Sequence, residues 1–263
     1  MDVGLQQQLR DDGYAVLPSL LSVQELQAAR DGLDVAVAAV HRLGIPTHTE
    51  SLDPNASNVR VYNLPELCSV FIDLLRHPAT LSVVREVLSP NCLVSNFTAN
   101  IAWPGSGSMN LHSDQALVIP PPWNEPWAFN VIWCLDDVHE RNGATRYLPG
   151  SHRYRTFEDV PADALTKTRA FEAPAGSAIL MEGRIWHTSG ANVTSDERRA
   201  MLFAYYSMDF IRQQMNWEAA LSPKTKESLD AETCKLLGLG PAANTRIGGQ
   251  LTRLSGSRQG LTT

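Results

Sequence analysis

Helix-forming and strand-forming segments are segregated along this chain of 263 residues, and that order restricts the folds open to it. Leu5, Leu9 and Tyr14 begin a helical apolar pattern that Gly13 interrupts, and YAVLPSLL reads as a short strand turned at Pro18. Ser22 with Glu25 three residues later is the signature of a helix-starting capping box. VQELQAARDGLDVAVAAVHRL then carries helical spacing until Gly44 and Pro46 end it. Residues 46–60 are rich in Asn, Ser, Thr and Pro and read as a loop, and 65–88 as two helices broken at His77-Pro78. From there the character changes. The segments 92–103, 128–136, 145–148, 176–187 and 199–208 alternate and carry β-formers, with PGSGS, PPP, NG, PG and PAG between them. Helices followed by strands argue for an antiparallel core flanked by helices rather than for alternating βα units. Many short strands favour a jelly roll or barrel. One domain is expected over 1–263, with a helical part at 1–90, a β core at 91–215 and a tail at 216–263. In the tail LDAETCKLLGL reads as a helix, and the last 20 or so residues are expected to be disordered.

Composition narrows the function classes. With 22 Lys and Arg against 28 Asp and Glu, the net charge is −6, and the absence of a long basic run argues against a general nucleic-acid binder. No apolar stretch approaches the roughly 20 residues that span a bilayer, and MDVGLQQQLRDDGY has no signal-peptide core. A cytoplasmic protein without a membrane partner is expected. Cys68, Cys92, Cys134 and Cys234 form no CxxC pair, which excludes a zinc finger and favours small buried apolar roles.

The chemistry-bearing pattern begins at His112-Ser113-Asp114. Residues i and i+2 of a strand share a face, so an imidazole and a carboxylate can converge there. His187, in GRIWHTSG, closes another strand-like segment. Two histidines and one carboxylate on a β scaffold make a facial triad, which suits non-haem Fe(II) and leaves coordination positions open. Arg198 lies 11 residues on, at the mouth of RRAMLFAYYS, where a buried guanidinium can grip a carboxylate through two hydrogen bonds. Arg199 points to the opposite face, so one of the two should enter the core.

LHSDQ (111–115), NGATRYLPGSH (142–152) and WHTSGANVTSDERRAMLFAYY (186–206) together resemble the phytanoyl-CoA dioxygenase family over about residues 10–215. The resemblance implies a double-stranded β-helix, a cupin-like jelly roll, and an oxygenase that uses Fe(II), 2-oxoglutarate and O₂. It implies His112, Asp114 and His187 as iron ligands, Arg198 as anchor of the 2-oxoglutarate carboxylate and Ser189 as a cosubstrate contact. Thr145 is expected to face the cosubstrate, and Gln115, in a motif position beside the iron ligands, is counted with the cosubstrate-binding residues. Because Asp114 is present, the variant in which a halide replaces the carboxylate is not expected.

Substrate contacts are expected from Asn100, Trp103, Met109, Trp123, Trp127 and Phe129, around the HxD segment and the PPPWNEPW loop. The expected reaction is oxidation of a small organic molecule, a biosynthetic intermediate, by hydroxylation, desaturation, epoxidation or rearrangement. A CoA substrate does not follow, since nothing outside the motifs matches an acyl-CoA branch. Plainer readings stand beside these. Arg198 could pair with Asp196 or Glu197 at a solvated turn, Thr145 and Ser189 could make ordinary turn hydrogen bonds, and Trp123 and Trp127 could simply pack a loop. His152 reads as structural. A metal-dependent cupin-type enzyme would need no such arginine, and a non-catalytic jelly-roll binding module would bind no cosubstrate. A homodimer is compatible with the sequence.

Overall fold

The computed structural model describes residues 3–240. The chain runs through α1 (Val3–Asp12), β1 (Tyr14–Leu17), α2 (Val23–Arg42) and β2 (Asn58–Val61), then α3 (Leu64–Leu67), α4 (Val70–Leu75) and α5 (Pro78–Val87). The β core follows as β3 (Leu93–Ala102), β4 (His112–Ser113), β5 (Ala128–Cys134), β6 (Thr145–Tyr147), β7 (Arg169–Ala170), β8 (Ala178–Glu182), β9 (Trp186–Ser189) and β10 (Arg199–Ser207). Three short helices, α6 (Trp217–Ala220), α7 (Pro223–Ser228) and α8 (Ala231–Leu236), pack after it.

Two antiparallel sheets make the jelly roll. The larger has the order β1-β8-β5-β10-β3-β2 and the smaller β4-β9-β6-β7. Strand periodicity decides what each sheet face holds. In β5, Phe129, Val131 and Trp133 join Ala29, Leu33 and Ala36 of α2 in the main core, while Ile132 and Cys134 join Tyr147 and Phe171 between the sheets. In β10, Ala200, Leu202, Ala204 and Tyr206 face the helices, and Met201 and Phe203 face the smaller sheet. Because both faces of the large sheet are covered, its central strands β5, β8 and β10 are mostly apolar in both phases. The helical layer therefore covers one face and the smaller sheet the other, and the site opens between the sheets.

The structure departs from the sequence reading in three places. The 46–60 loop holds an edge strand, β2, which pairs with β3. The region 65–88 contains three helices rather than two. The HxD segment is a two-residue strand, and Asp114 lies in the turn that follows it. The four cysteines are free, and Cys92 and Cys134 are buried while Cys68 and Cys234 are half-buried. Among the described residues no helix is long and apolar enough to cross a membrane. The stretch read as disordered falls outside the described residues.

The α2 capping box forms as its sequence requires. Glu25 N–H donates to Ser22 Oγ at 3.2 Å, and Ser22 N–H donates to Glu25 Oε2 at 2.8 Å. The Ser22 hydroxyl and then its backbone N–H hold the Glu25 carboxyl below its ordinary range. A depressed carboxyl stabilises the folded state above its unfolded value, near 4.5, and this contribution is lost as pH falls through the folded value. Ser22→Ala is expected to lower stability by about 1 kcal/mol at neutral pH in urea unfolding, with the difference shrinking below the ordinary carboxylate range.

Candidate active site

β4 and β9 pair so that His112 lies directly opposite His187, with ring centroids 4.3 Å apart. Each ring is oriented from behind. His112 Nδ1 lies 2.8 Å from the Asn110 carbonyl, and His187 Nδ1 lies 3.0 Å from the Ile185 carbonyl. A carbonyl can only accept, so Nδ1 carries a proton in both rings and Nε2 is the nitrogen turned toward Asp114. Burial pulls the His187 pKa down, against the opposing charge of Asp114, so this ring is neutral at pH 7. Asp114 Oδ1 lies 3.6 Å from His112 Nε2 and 3.9 Å from His187 Nε2. These separations are too long for hydrogen bonds and suit atoms that share one ion. Among the described residues this trio is the group of metal-binding side chains, with its ligand atoms all within 4.8 Å of one another. Two imidazoles, a carboxylate and carbonyls orienting the rings fit a divalent iron.

The trio opens on a cavity of about 270 Å³ between the sheets. Thr145 and Ser189 are register partners on β6 and β9, and both line this cavity. Ser189 Oγ accepts from Met109 N–H at 2.9 Å. At the far end of β10 stands Arg199, 1% exposed. Its Nε donates to the Gly143 carbonyl at 3.0 Å, and its Nη1 donates to the Asn100 carbonyl at 3.2 Å and to Asn100 Oδ1 at 3.0 Å. Gly143, at φ +88°, holds a backbone that a side chain would strain, and an added Cβ would lie 3.1 Å from the Gly190 carbonyl. The Asn-Gly turn thus aims a carbonyl at the guanidinium. Nη2 has no hydrogen-bond partner and the side chain no ion pair among the described residues. Burial pushes the Arg199 pKa down to about 10, which leaves a cation at neutral pH.

The arginine expectation is therefore corrected. Arg198 precedes the first residue of β10 and faces outward, 30% exposed, with Nε 3.3 Å from Asp136 Oδ2 and Nη1 3.8 Å from Asp34 Oδ1. Arg199 shares the inward phase with Met201, Phe203 and Tyr205. Gln115 is also corrected. It is buried, but its amide donates to the Glu125 carbonyl at 2.9 Å and accepts from Trp127 N–H at 2.8 Å, so it braces the loop rather than lining the cavity.

Of the expected substrate contacts, Asn100 and Met109 line the cavity. Four do not. Trp103 is 43% exposed at the end of β3. Trp123 is buried against Phe157 and Trp186, and its indole N–H donates to the Ile119 carbonyl at 2.7 Å. Trp127 packs on Phe210. Phe129 lies on the helix-facing side of β5, and its neighbour Asn130 takes the cavity side.

The sequence reading missed Arg60, Tyr62, Asn96, Thr98, Asn130, Phe203, Tyr205 and Gln214, which line the cavity. A signal existed for some of them. In LVSNFTANIA, polar Asn96, Thr98 and Asn100 alternate with apolar Phe97, Ala99 and Ile101, which sets one polar face. Arg60 gave no such signal, because its segment read as loop. It pairs with buried Asp53, Nη2 to Oδ1 at 2.6 Å, and this fastens the 46–57 loop beside the cavity.

A phytanoyl-CoA dioxygenase (PhyH) family model matches residues 9–200, which include all three site residues and Arg199. The chain belongs to the phytanoyl-CoA dioxygenase family. It is 47% identical over 234 residues to the dioxygenase af480 of Aspergillus fumigatus, covering 89% of this chain and 76% of that protein. It is 24% identical to the dioxygenase cdmA of Talaromyces verruculosus, covering 88% and 80%. HygX of Streptomyces hygroscopicus, solved with nickel and 2-oxoglutarate bound, superposes with a TM-score of 0.65 at 15% identity, over 81% of this chain and 89% of that one. SnoK, a non-haem alpha-ketoglutarate-dependent carbocyclase from nogalamycin biosynthesis, gives 0.66 at 21% identity, over 85% and 92%. These likenesses confirm the jelly-roll fold. As a member of its family the protein is an Fe(II)- and 2-oxoglutarate-dependent dioxygenase.

Since Trp123 packs a satellite core rather than the cavity, Trp123→Ala is expected to cost about 3–5 kcal/mol of stability in chemical denaturation. The folded variant, titrated with 2-oxoglutarate below its melting range, should keep the wild-type cosubstrate affinity.

Proposed function

We propose that His112, Asp114 and His187 hold the iron, that Arg199 receives the distal carboxylate of 2-oxoglutarate, and that Thr145 and Ser189 line the cosubstrate's path between them. The observation that carries this reading is the Arg199 guanidinium, buried, hydrogen-bonded only to neutral groups and reached from the same cavity as the trio. A buried cation without a direct ion-pair partner among the described residues is costly, and a carboxylate arriving there is correspondingly stabilised. A cupin-type enzyme without 2-oxoglutarate has no use for such a group, and neither has a binding module.

Iron held by these residues would supply O₂ activation coupled to oxidative decarboxylation of 2-oxoglutarate to succinate and CO₂. The protein's own residues set the conditions. Backbone carbonyls hold Nδ1 of each ring and so turn both Nε2 atoms toward the metal position. Arg199, braced by Asn100 and the Gly143 carbonyl, fixes the far end of the cosubstrate and so its rotation about the metal end. Asn96, Thr98, Tyr62, Phe203 and Gln214 form the remaining wall, mixed in polarity as a small-molecule site requires. We assign the substrate to the natural-product or related biosynthetic intermediates. SnoK and the alpha-ketoglutarate-dependent epimerase SnoN come from nogalamycin biosynthesis, and HygX has been solved with hygromycin B bound, which supports that class. We further propose a single oxygenase domain that acts in the cytoplasm, as a monomer or homodimer, without nucleic acid or membrane.

The test compares two adjacent arginines. Arg199→Ala is expected to weaken 2-oxoglutarate binding by 30-fold or more, on the order of 2–5 kcal/mol for truncating one partner of a buried charged pair. Arg198→Ala, in a half-buried ion pair that faces away from the cavity, should stay within about twofold of wild type. Calorimetric titration of the metal-loaded protein with 2-oxoglutarate reads both. The reverse pattern, or no metal-dependent 2-oxoglutarate binding by the wild type, would refute the assignment.

A further inference from the structure

We propose that Asn130 is a positioning residue that keeps Asp114 to coordination through one oxygen, and so keeps a metal position open for the cosubstrate. The inference rests on the metal assignment above and concerns a residue outside the trio.

Asp114 follows β4 in a turn, so strand pleating does not fix its carboxylate. Two neighbours on the large sheet hold the residue, one at its carboxylate and one at its backbone carbonyl. Asn130 on β5 and Tyr205 on β10 are register partners, and both line the cavity. Asn130 Nδ2 donates to Asp114 Oδ2 at 2.5 Å, and the Tyr205 hydroxyl donates to the Asp114 carbonyl at 3.4 Å. The carboxylate is thereby divided. Oδ1 faces the two Nε2 atoms, at 3.6 and 3.9 Å, while Oδ2 is occupied by the amide.

Hydrogen-bond chemistry fixes the direction of this contact, because an ionised carboxylate only accepts and the amide must therefore present its NH₂. Energetics indicate what the residue is for. Asn130 is 5% exposed, and its Oδ1 is buried with no hydrogen-bond partner among the described residues. A half-satisfied buried amide weakens the fold relative to an apolar side chain of similar size. Its hydrogen bond to Asp114 is the compensating contact at this position.

The consequence follows from counting positions. An iron held by three protein ligands would keep positions free for the keto acid end of 2-oxoglutarate and for O₂. A carboxylate can also chelate through both oxygens, and that would take one of these positions. Asn130, by engaging Oδ2, opposes it.

Cobalt(II) is the probe, with calorimetry of metal binding, calorimetry of 2-oxoglutarate binding to the cobalt-loaded protein, and the cobalt visible spectrum as a report on coordination. Asn130→Ala removes the side chain, and Asn130→Asp keeps its shape but removes the NH₂ donor. If Asn130→Ala does not fold, the isosteric variant decides. The expected result is retained cobalt binding, an altered cobalt spectrum, and 2-oxoglutarate affinity reduced tenfold or more in both variants. Wild-type spectrum and 2-oxoglutarate affinity in Asn130→Asp would overturn the proposal. Loss of cobalt binding itself would also overturn it, by showing that the amide is needed to hold the ion. Failure of the wild type to bind cobalt would instead bring down the metal assignment beneath it.

Discussion

The pairing of β4 with β9 is the constraint on which the site depends. It spans only two residues on the β4 side, yet it sets His112 across from His187 and turns both Nε2 atoms to one point. Antiparallel register leaves little choice here, since a slip by one residue would carry one imidazole to the other face. Everything else in the site is arranged around that pair. Asp114 approaches from the turn after β4, Ser189 follows His187 by two on the same face, and Thr145 stands beside Ser189 on β6.

The large sheet supplies the complementary half. Its helix-facing side buries Phe129, Val131 and Trp133 against α2, and this anchors the strands whose opposite faces carry Asn130, Tyr205, Asn100 and Arg199. The apolar core and the polar site are thus two faces of the same strands, and the rigidity of one serves the geometry of the other. A positive guanidinium stands at one end of the cavity, and the Asp114 carboxylate with the two imidazoles at the other.

Much of this was legible in the sequence, and the failures have physical causes. The segregation of helices from strands, the Ser22–Glu25 cap and the His112, Asp114 and His187 constellation could all be read from residue spacing and motif. Which of Arg198 and Arg199 enters the core could not. RRAMLFAYYS is apolar in both phases because both faces of β10 are covered, so alternation carries no label for inside. The tryptophans misled for a related reason, since a large ring in a Pro-rich loop beside a site suggests a pocket wall. Trp123 instead finds Phe157 and Trp186, partners distant in sequence. Arg60 was hidden because an edge strand of four residues amid turn-formers does not announce itself, and its partner Asp53 lies in the same irregular stretch.

The claim at the centre of this account is that one ferrous ion is shared by side chains from β4, the turn after it and β9. Anomalous diffraction at the iron edge, from crystals grown anaerobically with Fe(II) and 2-oxoglutarate, tests it most directly. The account predicts a single strong peak per chain, within bonding distance of His112 Nε2, His187 Nε2 and one oxygen of Asp114. A peak elsewhere, or one that leaves any of the three beyond bonding distance, would contradict it.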